Sequence, residues 1–253
     1  MASSRFLSRI DQILLCIGFL TRIRVRLPAD LPEDALPRAV WAFPLAGVAV
    51  GLLSAVSMLV SIRLGIPAAA AAIIALATSI LVTGALHEDG LADTADGLGG
   101  GSDSAAKLAI MRDSRIGSYG VLALLVCFGL KAVALTTLAG YGGWALIACH
   151  SGARAGLPLL MWLLPLARSG GAAASFGKPG GVPAAASLTI GVLILFGCLG
   201  LDRGLLALVG AALGTIVIGR LARRQIGGYT GDILGAAEQL AETAILLAAA
   251  DCY

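Results

Sequence analysis

The chain has 253 residues, of which 58% are hydrophobic and only 13% charged, and its mean hydropathy is +0.92. A soluble domain carries about 25% charged and 45–50% apolar residues, so this sequence lacks the material for a water-facing surface, which excludes secreted, nuclear and ordinary cytosolic proteins. The net charge of +3, from 18 basic and 15 acidic residues, is too small and too scattered for a nucleic-acid surface.

Residues 1–38 read as an N-terminal interfacial segment. The apolar run from Ile13 to Leu20 follows Arg5 and Arg9 and imitates a signal peptide, but Thr21-Arg22-Ile23-Arg24-Val25-Arg26 stands where a small-residue cleavage site would be. A spanning helix needs roughly 20 mostly apolar residues to cross about 30 Å of hydrocarbon. Suitable runs lie near Ala39 to Ile62, Ile66 to Leu86, Ser118 to Ala139, Trp144 to Leu166, Ala184 to Leu201, Leu205 to Gly219 and Ile233 to Ala250. The fifth and sixth are short and separated by Asp202-Arg203-Gly204, which predicts a helical hairpin. The 34 glycines, about twice the usual share, permit close helix approach. Cys16, Cys127, Cys149, Cys198 and Cys252 form no CxxC pair and read as small core hydrophobes. The predicted fold class is all-α: a polytopic integral membrane helix bundle of about seven transmembrane helices (six to eight), built as one catalytic domain over 1–253, with no internal repeat.

The positive-inside rule orients this bundle. With the N-terminus cytoplasmic, that side holds Arg5, Arg9, Arg22, Arg24, Arg26, Arg38, Lys107, Arg112, Arg115, Arg168, Lys178, Arg220, Arg223 and Arg224, fourteen of the 18 basic residues. The opposite side keeps Arg63 and Arg203, while Lys131 and Arg154 fall within predicted spans. On this arrangement residues 87–117 form a cytoplasmic loop, the longest polar interruption and the expected active-site segment.

That segment opens with His87-Glu88-Asp89-Gly90-Leu91-Ala92-Asp93-Thr94-Ala95-Asp96-Gly97. Asp89, Asp93 and Asp96 are spaced i, i+4, i+7, which on a helix gives one acidic stripe. Mutual repulsion in such a stripe is relieved by a hard cation, and Mg²⁺ is usually held by one or two carboxylates, waters and phosphate oxygens. The alternative is a solvated helix end. Arg112-Asp113-Ser114-Arg115 brings two guanidinium groups suited to phosphate into the same loop, although both could be orientation charges. Gly227-Gly228-Tyr229-Thr230-Gly231-Asp232 opens the last span, where Asp232, Gln239 and Glu242 share a polar face. Such an intramembrane face is a functional-site hypothesis, while Asp232 could also cap its helix. Arg154 requires an anion, either a carboxylate of the chain or a phosphate; His150 reads as a satisfied buried histidine, and Lys131 receives no role.

Gly84 to Gly97, Met111-Arg112-Asp113-Ser114-Arg115-Ile116-Gly117 and Gly228 to Ala236 together resemble the cobalamin-5'-phosphate synthase family, the adenosylcobinamide-GDP ribazoletransferases. The resemblance extends to Phe19-Leu20-Thr21-Arg22 and Phe43-Pro44-Leu45. It implies an enzyme of the bacterial inner membrane, its active site facing the cytoplasm, that joins α-ribazole or its 5'-phosphate to adenosylcobinamide-GDP, releasing GMP and completing the cobalamin nucleotide loop with Mg²⁺ as cofactor. It implies a metal set of Asp89, Asp93 and Asp96, further catalytic roles for His87 and Asp113, and substrate contacts from Arg112, Ser114, Arg115, Thr230 and Asp232; Arg154 and Gln239 are expected as further substrate contacts from their polar positions within spans. The expected surroundings are membrane lipid, with no nucleic acid and a homo-oligomer left open. A CDP-alcohol phosphotransferase is the main alternative: Asp93-Thr94-Ala95-Asp96-Gly97 matches the opening of its pattern, but Leu98-Gly99-Gly100-Gly101 replaces the following alanine-arginine pair and the closing aspartates are missing. An ion-coupled transporter would be favoured by broken helices in two repeated halves, which the sequence lacks.

Overall fold

A computed structural model describes residues 7–138, 140–168 and 176–250. Its regular elements are helices, with one isolated parallel bridge between Leu166 and Tyr229. Helix α1, Arg9–Leu20, begins at a capping box in which Ser8 and Asp11 satisfy each other's backbone N–H groups. With 12 residues it is too short to span, and it buries Leu15, Cys16 and Leu20 against the bundle. Short α2, Ala35–Ala39, and a 3-10 turn lead into α3, Phe43–Arg63, whose Pro44 occupies a first-turn position that needs no amide donor.

Helix α4, Ala68–Thr83, ends at two consecutive left-handed residues, Gly84 with φ 69° and Ala85 with φ 60°. They turn the chain by 90° into α5, Leu86–Gly100. Glycine adopts this conformation freely, whereas an alanine there is strained by about 1–2 kcal/mol. The expected loop over 87–117 is therefore largely helical: α5 is followed by α6, Ser104–Ile110, before α7, Ser118–Thr137. Burial explains the difference, because α5 packs between α7 and the last helix and must satisfy its backbone internally.

The expected fourth span is broken into α8, Gly142–Ala155, and α9, Leu157–Leu163, at Gly156 and Pro158. Helix α10, Gly181–Ile226, bends at Gly200, where φ 76° and ψ −174° lie outside the helical region. Its arms fold back on each other: Gly204 sits against Phe196, Gly191 and Leu195 meet Ala155 and Gly152, and Thr215 and Gly219 meet Gly156 and Leu160. The first arm therefore runs antiparallel to α8 and the second parallel to it, the predicted hairpin with its turn at Gly200. Helix α11, Gly231–Ala250, is the hub, packed against α5, α7, α8 and α10, and its most apolar stretch is 72% buried.

Among the described residues four helical stretches, Ala35–Arg63, Ser118–Thr137, Gly181–Ile226 and Gly231–Ala250, are long and apolar enough to cross a bilayer, and α4 with α5 forms a fifth if the bent pair is one span. The protein is a polytopic membrane helix bundle. Glycines set the spacing of its pairs: a Cβ on Gly47 of α3 would lie 2.2 Å from the His150 carbonyl oxygen of α8, so only glycine permits this approach.

Candidate active site

The acidic stripe and the last helix meet through a pair of glycines. A Cβ on Gly90 would lie 2.9 Å from the Asp232 carbonyl oxygen, and one on Gly235 would lie 3.0 Å from that of His87. This contact brings α5 onto the first turn of α11 and sets His87, Asp89 and Asp232 around a cavity of about 150 Å³, with Asp93 in electrostatic reach of Asp89, Asp96, Asp232 and Arg168. Thr230 and Arg168 complete its polar wall; Phe19, Phe43, Phe176, Leu157 and Met161 contribute to its apolar wall.

Thr230 settles the first turn of α11. Its hydroxyl accepts from the Ile233 N–H at 3.2 Å and donates to Asp232 Oδ2 at 3.0 Å. The hydrogen-bonded cap is therefore Thr230, which leaves the Asp232 carboxylate to face the cavity. Arg168 reaches the same carboxylate at 3.2 Å, while its Nη1 is buried without a hydrogen-bond partner among the described residues. The segment carrying Arg168 is held by backbone bonds at 2.9 Å from Tyr229 N to Pro165 O and from Ala167 N to Tyr229 O. Among the described residues Asp89 and Asp93 make no side-chain hydrogen bond, so two carboxylates, Asp89 and Asp232, line the cavity with Arg168, and Asp93 adds its charge from beside it. Carboxylate oxygens are the donor type a hard divalent cation takes, while among the described residues the acidic and histidine ligand atoms that lie within 4.8 Å of one another belong to His150, Glu238 and Glu242.

Deeper in the bundle, α11 carries a second acidic group in a different state. Arg154 Nη1 lies 2.6 Å from Glu238 Oε1 and 3.0 Å from Glu242 Oε1. Lys131 donates to Glu242 Oε2 and Gln239 Oε1, both at 2.7 Å. His150 Nδ1 pairs with Glu242 Oε1, and Gln239 bonds Glu238 at 3.0 Å and Glu88 at 3.1 Å. The ligand atoms of His150, Glu238 and Glu242 lie within 4.8 Å of one another. With Arg154 and Lys131 already on these carboxylates, the group is an ion-pair network. It touches the cavity at His87, whose Nδ1 lies 3.3 Å from Arg154 Nη2 and 3.9 Å from Glu238 Oε1. A guanidinium can only donate, so His87 Nδ1 accepts and the ring proton sits on Nε2.

Asp96, expected as a third metal ligand, turns instead to the N-terminus of α7. Its oxygens accept from the Gly117 N–H at 2.7 Å and the Gly120 N–H at 2.9 Å, and a Cβ on either glycine would come within 2.4 Å of them. A carboxylate there satisfies free amide donors and complements the helix dipole. Arg112, Ser114 and Arg115 are exposed on the connection before α7, away from the cavity lining. Asp113 is paired with Arg115 at 2.6 Å, which holds its carboxyl down at about 2.

The family model of cobalamin-5-phosphate synthase matches residues 12–250. The chain belongs to this family. It is 49% identical over 245 residues to the adenosylcobinamide-GDP ribazoletransferase of Bradyrhizobium diazoefficiens, covering 95% of this chain and 94% of that one. It is 43% identical over 254 residues to the protein of that name from Azorhizobium caulinodans, covering 94% and 96%, and 40% identical over 251 residues to the one from Brucella anthropi, again covering 94% and 96%. No solved structure matches the chain.

In this member of the cobalamin-5-phosphate synthase family, the structure gathers His87, Asp89, Thr230 and Asp232 at one cavity, with Asp93 beside them. It places Asp96 on α7, Asp113 and Arg115 in an exposed pair, and Arg154 and Gln239 in the buried network. Arg154 and Gln239 thus find partners within the chain: α8 packs on α11 closely enough to pair Arg154 with Glu238 and Glu242, and α7 and α5 bring Lys131 and Glu88 to Gln239. Arg168 is the cavity guanidinium that sequence reading counted only as an orientation charge. Nothing around it in sequence marks it out, since its partner Asp232 lies 64 residues away.

Proposed function

We propose that this protein is an adenosylcobinamide-GDP ribazoletransferase that completes the cobalamin nucleotide loop, works with Mg²⁺, and opens its cavity to the cytoplasm at the bacterial inner membrane. The observation that carries this reading is the meeting of the acidic motif of α5 with the Thr230-Gly231-Asp232 motif of α11 at one cavity, in a chain of this family. Family membership and the printed names of relatives supply the substrates; the cavity supplies a phosphate site.

A ribose hydroxyl of α-ribazole, or of its 5'-phosphate, attacks the corrinoid-side phosphorus of adenosylcobinamide-GDP. A P–O bond forms to the ribose, the P–O bond to GMP breaks, and the hydroxyl proton passes to a cavity base. Such transfers need positioning and charge stabilisation more than covalent participation. Asp89, Asp93 and Asp232 would hold Mg²⁺, which when bound offsets negative charge on the pyrophosphate. Arg168 offers its unpartnered Nη1 to a phosphate oxygen, while its Nη2 keeps Asp232 in place. With its Nδ1 accepting from Arg154, His87 presents Nε2–H as a donor, so it stabilises a phosphate oxygen and leaves proton acceptance to a carboxylate.

Purified protein should release GMP from adenosylcobinamide-GDP and α-ribazole only when Mg²⁺ is present, and should release no CMP from a CDP-alcohol with an alcohol acceptor. CMP release without GMP release would replace this reading with the phosphotransferase alternative. Cysteines introduced near Asp103 and Gln225 of a protein lacking native cysteines should be labelled from the cytoplasm, and one near Asp202 from the other side. Labelling of Asp103 and Asp202 positions from one side would overturn the orientation.

A further inference from the structure

The cavity contains one polar group that the phosphate chemistry leaves unused. Tyr229 is 1% exposed and lines the cavity, and its phenolic oxygen is buried without a hydrogen-bond partner among the described residues. An unpaired buried hydroxyl is unfavourable, so its presence points to a partner brought from outside. Its backbone is fixed by the bonds to Pro165 and Ala167. Phe43, Phe176, Leu157 and Met161 belong to the same buried cluster as Tyr229 and line the same cavity. Phe176 meets Phe43 and Phe19 edge-on, with ring centroids 5.8 and 4.8 Å apart.

We propose that this apolar end is the base subsite of the acceptor nucleoside, shaped for a planar apolar base with one free ring nitrogen, to which Tyr229 O–H donates. The proposal rests on the ribazoletransferase reading, in which two bases compete for any such site. Guanine carries a carbonyl, a ring N–H and an amino group on one edge, and one phenol cannot satisfy all three once they leave water. The dimethylbenzimidazole of α-ribazole has a hydrocarbon edge, one nitrogen occupied by the ribose and one free nitrogen that accepts a single hydrogen bond. One donor within carbon walls matches that base and leaves guanine unpaired. With the base there, the attached ribose extends toward Asp89, Asp232 and Arg168 on the polar wall.

The test pairs Tyr229→Phe with an acceptor in which indole replaces the benzimidazole, so that a CH stands in place of the free nitrogen. A site built to hydrogen-bond a group discriminates against an analogue lacking it. The wild-type chain in detergent should use α-ribazole with about tenfold or greater kcat/KM than the indole analogue, the ratio expected for one buried hydrogen bond. In Tyr229→Phe, α-ribazole should fall to the indole level, the analogue should be unchanged, and KM for adenosylcobinamide-GDP should stay within about twofold. A preference that survives in Tyr229→Phe, or a loss confined to adenosylcobinamide-GDP, overturns the subsite, the latter by placing guanine there. Equilibrium dialysis of α-ribazole and the analogue needs no turnover. If wild type releases no GMP the ribazoletransferase reading fails, while equal α-ribazole binding by wild type and Tyr229→Phe defeats the subsite on its own.

Discussion

Helix α11 carries carboxylates in two regions that differ in what surrounds them. Asp232, in its first turn, joins Asp89 and Arg168 at the cavity, with Asp93 in electrostatic reach, so that three acids stand near one arginine. Glu238 and Glu242, about 9 and 15 Å further along the helix, face Arg154, Lys131 and His150 in the interior. Charge is unbalanced at the opening and nearly balanced inside. A surplus of acid beside a cavity is suited to a cation and its phosphate ligand, whereas matched ions within a bundle are structural partners whose separation is costly. The same side-chain chemistry therefore serves ligand binding at one end of a helix and helix association further down.

The largest separation between the regions should come from neutralising one acid in each. Asp93→Asn and Asp89→Asn should lower GMP release by orders of magnitude, because losing a ligand weakens both metal and pyrophosphate placement, while thermal unfolding in detergent stays near wild type. Near-normal turnover at limiting Mg²⁺ in both variants would remove the opening as a metal site. Asp232→Asn belongs with them: since Thr230 provides the cap, its unfolding should change by about 1 kcal/mol or less, with turnover strongly reduced.

Glu242→Gln should behave in the opposite sense. It leaves Lys131 and Arg154 as buried cations short of a partner, a loss of about 3–5 kcal/mol, visible as early thermal unfolding. A stable Glu242→Gln protein with abolished turnover would transfer this residue to the chemistry. Asp96, at the N-terminus of α7, tests where the opening ends. As the cap of α7, Asp96→Asn should reduce stability by about 1 kcal/mol and turnover less than Asp93→Asn does; equal losses of turnover in the two variants would restore it to the metal set.

The smallest effect is expected on the exposed connection. Arg115→Ala should change GMP release by no more than about twofold, as for most surface ion pairs. Because Arg115 holds Asp113 at about 2, the pair's contribution is present above the ordinary carboxylate range and is lost only as pH falls through about 2. GMP release measured between pH 5 and 8 should therefore show no step that Arg115→Ala removes.

Several of these contrasts are visible in sequence only in outline. The i, i+4, i+7 spacing puts Asp89, Asp93 and Asp96 on one helix, but the stripe divides when Asp96 meets the free amides of Gly117 and Gly120. Arg154 and Gln239 stand out as polar residues within apolar runs, and pattern alone does not tell an internal partner from a phosphate. Arg168 carries no local signal and Tyr229 is marked only as one residue of the Gly227 to Asp232 motif, because what singles out each is an unpaired atom in a folded environment.

Local composition by itself determined the membrane setting, the helical class, the hairpin of α10 and the motifs of α5 and α11, because hydrophobic run length, glycine placement and charge spacing act over a few helical turns. Tertiary structure alone decided which acids are paired and which are open. Pairing depends on distances between residues far apart in sequence: the contact of Gly90 with Gly235 brings two motifs about 140 residues apart to one cavity, and the packing of α8 on α11 closes the ion network beneath it.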